Sequence, residues 1–240
     1  MLKKELIFDG NEKQVFATED PNKVIFRYKD VTLAHKGVKR AVFKGKGVIT
    51  NKISALLLGE LNAKGVPTHF VEEVGDREQL CRKIEIIPLE LIVRNRICGS
   101  LSHRLGLKEG IKTASPIFDL HYNNDELDDP LINDCHALAL GLVSEEELKQ
   151  MYSIARKANK ILCKVLHEAG IELIDMKIEF GRASDDGSII ISDELSPETT
   201  RLWDEATEEK LDKDRFRRDL GDVVASYQKV LDRLNDRRKA

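Results

Sequence analysis

No apolar run in this 240-residue chain approaches the roughly 18 residues needed to span a membrane as a helix. The opening MLKKELIFDG meets an acid and a glycine too soon for the apolar region of a signal peptide. The four cysteines (Cys81, Cys98, Cys135 and Cys163) are scattered, with no CxxC and no Cys/His ligand spacing. That argues against a structural zinc site or a disulfide framework and fits a reducing compartment. Net charge is only −3 although 34% of residues are charged, so bulk electrostatics indicate neither a nucleic-acid polymer nor a membrane surface as partner. GxxxxGK[ST], GxGxxG and GxSxG are all absent, which removes the Walker A, dinucleotide-binding and nucleophile-elbow readings. The six histidines form no close ligand pair, and no Ser–His–Asp set can be assembled. There is no internal repeat or low-complexity segment. A compact cytoplasmic protein is expected, with ample core for one large or two modest domains.

What is present is concentrated between Asp175 and Asp204. Residues 174–180 alternate, with Ile174, Met176, Ile178 and Phe180 on one face and Asp175, Lys177 and Glu179 on the other, as in a half-buried strand. Ser184–Ser188 reads as a turn, after which Ile189, Ile190 and Ile191 form a second strand. A turn centred on 185–187 places Glu179 opposite Asp193. Directly opposed side chains lie roughly 5 Å apart at Cβ, where like charges repel. A divalent cation would relieve that repulsion, and Mg²⁺ is typically held by one or two carboxylates together with substrate phosphates. The alternative is two acids fraying into solvent, and a one-residue slip would move Asp193 to the other face.

The first 85 residues read as short antiparallel strands (Glu5–Asp9, Gln14–Thr18, Lys23–Tyr28 and Phe70–Val74), interrupted by a helix over roughly Thr50–Ala63. Cys81–Arg94 is strongly apolar, and Pro88 should divide it into two strand pieces or kink it at a junction between lobes. Ser144 followed by Glu147 is a capping box opening a helix that ends at Gly170. The tail from Lys210 predicts one or two amphipathic helices with Phe216, Leu220, Val223, Val224, Tyr227, Val230, Leu231 and Leu234 inward. Its charges read as a solvated face, and its composition does not decide whether it forms a homodimer interface.

Two further segments carry functional signals. Val93-Arg94-Asn95-Arg96 runs into Gly99-Ser100, with Ser100 expected to N-cap a short helix; arginine forks beside such an end favour a phosphate, against surface arginines and an ordinary cap. Asp9-Gly10-Asn11-Glu12-Lys13 is a glycine-hinged turn whose lysine could cover nucleotide phosphates.

Taken together, Val93-Arg94-Asn95 with Gly99-Ser100, Asp129-Pro130, Leu173–Gly181, Asp193-Glu194 with Ser196-Pro197, Arg201–Asp204 and Lys213–Arg217 resemble the SAICAR synthetase family over nearly the whole chain. The resemblance implies an α+β, two-lobed fold related to ATP-grasp and kinase-like architectures. An antiparallel N-terminal lobe (1–86) would cover ATP, and a larger α/β lobe (87–240) would carry the Mg²⁺ and CAIR site. It implies an ATP-dependent ligase joining the carboxylate of carboxyaminoimidazole ribonucleotide (CAIR) to the amine of L-aspartate. It further implies Mg²⁺ on Glu179 and Asp193, Lys13 and Val15 at the nucleotide, and Arg82, Lys83 and Ile84 at adenine. Lys177 and Asp175 would be catalytic, Arg94, Ser100 and Arg201 would hold the ribonucleotide phosphate, and Asp129 would touch substrate. Three positions depart from the family pattern: Asn11 in place of a lysine, Glu198 in place of an aspartate, and Lys36 in place of an acid. A small-molecule kinase and a non-catalytic nucleotide-binding module are the rival readings.

Overall fold

A computed structural model of the chain describes residues 2–34 and 37–239, so the Lys36 difference lies outside the described residues. Strands β1 (Lys3–Asp9), β2 (Lys13–Thr18) and β3 (Lys23–Tyr28) form a meander, followed by a small hairpin of β4 (Val31–Ala34) and β5 (Lys39–Val42). Helix α1 (Lys46–Ala63) comes next, then β6 (Phe70–Gly75) and β7 (Glu78–Arg82), which complete a first sheet in the order β1-β2-β3-β7-β6. Helix α1 starts four residues earlier than its apolar spacing predicts, after Gly45 in the left-handed region.

The chain then crosses into a second sheet through β8 (Ile84–Arg96). Helix α2 (Ser100–Leu105), β9 (Lys112–Tyr122), β10 (Leu131–Ile132), α3 (Asp134–Ala139) and α4 (Glu145–His167) follow. After them come β11 (Ile171–Ala183), β12 (Ile189–Ser192), β13 (Thr200–Asp204), α5 (Asp214–Arg217) and α6 (Val223–Lys239). The second sheet is ordered β10-β9-β8-β11-β12, with β13 also pairing with β11. All named ladders are antiparallel, as the short-turn pattern predicts.

Pro88 does not split β8. Pairing with β11 jumps from Glu179↔Glu90 to Phe180↔Ile87, so the proline sits in a bulge where no ladder N–H is required. Helix α4 opens on the Ser144/Glu147 capping box and buries Leu148, Met151, Ala155, Ala158, Leu162, Val165 and Leu166 against β11. Helix α6 packs on α1 and buries Val223, Tyr227, Val230, Leu231 and Leu234, so this stripe is consumed within the chain. Leu220 is the exception to the predicted stripe: it lies between α5 and α6 and is exposed. One apolar core runs continuously through α1, β8, α4, β11 and α6, which fixes the second sheet as a rigid floor. Among the described residues no helix is long and apolar enough to cross a membrane.

Candidate active site

A cleft of about 740 Å³ lies where the β1–β2 turn overhangs the β11–β12 hairpin. The hairpin register differs by one residue from the expectation: Glu179 faces Ser192, not Asp193. The turn closes through Ala183 N–H donating to Ser188 O and Gly187 N–H to Ala183 O, which sets this register. Asp193 nevertheless reaches the same cleft, because it leaves the strand with φ 61° and its side chain swings back beside Glu179. A non-glycine residue in that region is uncommon and marks a place where geometry is held by its surroundings.

Two lysines face these two acids. Lys13, at the start of β2, forms an ion pair with Asp193 and lies 3.0 Å from Glu194. Lys177 on β11 lies 2.9 Å from Glu179 and 2.8 Å from Glu90. Burial, then Asp193, push the Glu179 carboxyl above its ordinary value against the pull of Lys177. Burial also acts upward on Asp193, but Lys13 and Lys177 outweigh it and hold that carboxyl low. Both ammonium groups are raised: burial opposes their charge, and the neighbouring carboxylates prevail. The donors Glu179 and Asp193 are carboxylate oxygens, the hard ligands Mg²⁺ takes, and their mutual repulsion is what a divalent cation would remove. The pair therefore fits such an ion.

The turn above the acids depends on Gly10. A Cβ there would come within 2.8 Å of the Phe8 ring and 3.2 Å of Lys13 O, so a larger residue would force the ring or the turn to shift. The apolar wall beside it is built by Phe8, Val15, Phe26, Ile84 and Ile86. Val15 and Ile84 thus line the cleft, whereas Arg82 and Lys83, expected beside them to offer backbone groups, do not. The Arg82 guanidinium pairs with Asp185 and Asp186, and Lys83 exchanges backbone hydrogen bonds with Asn22 and Ser184. Phe26 was not foreseen; behind it His69 packs edge-on at 5.0 Å, and burial pushes that imidazole down to about 4, so it is neutral. Asp129 lines the opposite rim, where its carboxylate accepts from Asn124 N–H at 2.8 Å.

Arg94, Ser100, Asp175 and Arg201 are brought together, but they are not among the residues that line this cleft. Arg94 is 1% exposed and donates to Asp119 (2.7 Å), Asp175 (3.1 Å) and Ser100 Oγ (3.1 Å). Arg201 donates to the same Asp175 oxygen at 2.7 Å and to Asp214 at 3.2 Å. Asp175 is therefore a buried anion shared by two guanidinium groups. Ser100 is not an N-cap: Gly99 occupies that position at φ 56°, and Ser100 Oγ faces Arg94 instead. A Cβ on Gly99 would lie 2.6 Å from the Arg201 guanidinium, which explains the glycine.

Lys213 and Arg217 also line the cleft, although their segment reads as a solvated helical face. Lys213 bridges Glu12 (2.7 Å) and Glu198 (3.1 Å), and Arg217 pairs with Asp214 at 2.7 Å. Only their place in the Lys213–Arg217 motif could have flagged them. Glu198 does not reach the cleft; its side chain is fully buried and also accepts from Tyr227 OH and Thr32 Oγ1.

A family model for SAICAR synthetase matches residues 6–234. The chain belongs to the SAICAR synthetase family. It is 51% identical over 235 residues to a phosphoribosylaminoimidazole-succinocarboxamide synthase of Clostridium botulinum, covering 98% of this chain and 100% of that one. A solved phosphoribosylaminoimidazole-succinocarboxamide synthase from Ehrlichia chaffeensis superposes with a TM-score of 0.94 at 40% identity, covering 96% of this chain and 98% of that one. A SAICAR synthetase in complex with ADP superposes at 0.92 with 41% identity, covering 96% and 97% respectively. The α+β architecture is that of the family, and the cleft is the natural place to seek its chemistry.

Proposed function

We propose that this SAICAR synthetase family member joins the carboxylate of CAIR to the amine of L-aspartate at the expense of ATP, giving SAICAR, ADP and phosphate. The observation that carries the reading is the convergence of Lys13, Lys177, Glu179 and Asp193 on one cleft with an apolar wall, in a chain matched end to end by synthases of that name. The ADP complex of a relative supports a nucleotide here. Val15, Phe26 and Ile84 take the base, with Arg82 and Lys83 shaping the wall from outside. Residues 1–86 cover the nucleotide, and 87–240 supply the metal and CAIR side.

A carboxylate does not accept an amine because oxide is a poor leaving group. Transfer of the γ-phosphoryl group breaks its bond to the ADP oxygen and forms a bond to a CAIR carboxylate oxygen. Attack by the aspartate amine on the acyl phosphate then forms C–N, releases phosphate and requires loss of the ammonium protons. Phosphoryl transfer needs positioning and charge neutralisation more than covalent help. Glu179 and Asp193 would hold Mg²⁺, which would supply part of that neutralisation. Lys13 closes over the phosphates, and Lys177 faces the charge that develops on the reacting carboxylate. Arg201 and Ser100 hold the ribonucleotide phosphate, and Arg94 and Asp175 fix them from behind. Asp129 contacts CAIR from the rim. Its free cysteines fit work in the cytoplasm.

The reading is tested by mixing ATP and CAIR with and without aspartate. ADP release is expected only with all three; phosphorylation of a hydroxyl acceptor without aspartate would make the protein a kinase instead. Arg201→Ala is expected to raise KM for CAIR about 10–100-fold, because one charge-assisted hydrogen bond contributes about 1.5–3 kcal/mol. Loss of ATP affinity with CAIR affinity intact would reject the phosphate assignment.

A further inference from the structure

The two cleft lysines share an arrangement that the ligand assignments leave unexplained. Each is held by two carboxylates, of which one lines the cleft and the other does not. Lys177 has Glu179 on the cleft side and Glu90, 2% exposed, behind it. Lys13 has Asp193 on the cleft side and Glu194, 3% exposed, behind it. The two rear acids come from unrelated positions. Glu90 lies on β8 directly opposite Glu179, at the edge of the Pro88 bulge. Glu194 follows Asp193 at the left-handed kink, and Ser196 Oγ donates to its second oxygen.

A directly opposed pair of glutamates is unfavourable in a sheet, so Glu90 needs a reason to be there. Lys177, two residues before Glu179 on the same face, is the cation that bridges them. If the cation of the proposed reaction binds Glu179 and Asp193, both lysines lose their cleft-side partners. A buried ammonium without a counter-ion is strongly disfavoured. Without a second acid, each lysine would either compete with the metal or abandon the cleft.

We propose that Glu90 and Glu194 are positioning residues, the rear anchors that hold Lys177 and Lys13 in the cleft when a divalent cation takes Glu179 and Asp193. The inference rests on the metal reading above. Each lysine exchanges a shared pair of carboxylates for a single one, so the metal displaces half of its ion pairing and the ammonium stays in place.

The test is Mn²⁺ binding in the presence of ADP, followed by electron paramagnetic resonance of the free ion. E90Q is expected to weaken Mn²⁺ about 5–20-fold, because Lys177 then has Glu179 as its only carboxylate and yields it less readily. In a K177M background the same E90Q change is expected to alter affinity less than twofold. Wild-type affinity in E90Q would overturn the proposal. So would an equal loss in both backgrounds, since Glu90 would then act on the cation through its charge alone. E194Q with K13M forms an independent cycle with the same expectations, should E90Q fail to fold. E179Q and D193N serve as controls for the underlying reading. If they bind Mn²⁺ as tightly as wild type, the metal assignment itself is wrong; if they lose it while both cycles show no coupling, only the anchoring role fails.

Discussion

Glu179→Gln and Asp193→Asn are each expected to lower the turnover of ATP, CAIR and aspartate by about 10³-fold or more while leaving the fold intact. A metal ion polarising phosphoryl oxygens contributes several kcal/mol to the transition state, and each 1.4 kcal/mol or so is tenfold in rate. For Glu179→Gln, stability should move the other way. In the folded chain Glu179 is charged at a cost, since burial and Asp193 both raise its pKa. Removing that charge relieves a repulsion and leaves Lys177 still paired with Glu90 at 2.8 Å. The melting temperature of Glu179→Gln is therefore expected to equal or exceed that of wild type. Steady-state rates at saturating ATP and modest Mg²⁺, with a thermal melt of the same preparation, check both halves. A variant within tenfold of wild-type rate would reject Glu179 as a metal ligand. A variant that is inactive because it has unfolded would show it in the melt.

This pair of acids was legible in the sequence for a reason that only partly survives. The alternation from Ile174 to Phe180 made β11 readable, because one face is core and the other is polar. The register was missed by one, since residues 184–188 allow more than one closure and only the realised hydrogen bonds choose between them. The acids still converge because Asp193 adopts a left-handed backbone, a local conformation that periodicity does not report. Ser100 failed as a cap for a similar reason: Gly99 takes the cap position, and the hydroxyl is recruited by Arg94 from a neighbouring strand. Lys213 and Arg217 were hidden because a charged helical tail normally faces solvent. It takes the short helix α5 and the residue that precedes it to bring them to the cleft. Strand β9 has an exposed first half with little alternation, and Pro88 looked like a break because a bulge cannot be distinguished from a strand end in sequence. Elements whose burial is periodic are readable; positions set by a single backbone torsion or a distant partner are not.

Glu198 tests that distinction most severely, because it lies beside the Asp193–Pro197 segment yet its side chain is buried away from the cleft. Its buried carboxylate accepts from Thr32 Oγ1 at 2.9 Å on β4 and from Tyr227 OH at 2.7 Å on α6. It also faces Lys46 Nζ at 3.6 Å and Lys213 Nζ at 3.1 Å. Four separated segments are thereby joined at one side chain. Burial alone would raise its pKa, but Lys213 and Lys46 outweigh burial and bring the carboxyl down to about 2. Glu198→Gln leaves Lys46, 2% exposed, and Lys213 without this counter-charge. Removing one partner of a buried ion pair costs about 3–5 kcal/mol, which for a chain of this size lowers the melting temperature by about 6–20 °C. The sign with pH follows from the depressed pKa. Stabilisation by Glu198 is complete above its ordinary value of 4.5 and is lost as pH falls towards about 2. Wild type should therefore lose stability more steeply than Glu198→Gln as pH falls from 4.5 towards about 2. Urea midpoints of both proteins across that range decide the matter. Parallel slopes would mean that the carboxylate carries no special stabilisation, and equal midpoints at pH 7 would mean that the four segments are held together by packing alone.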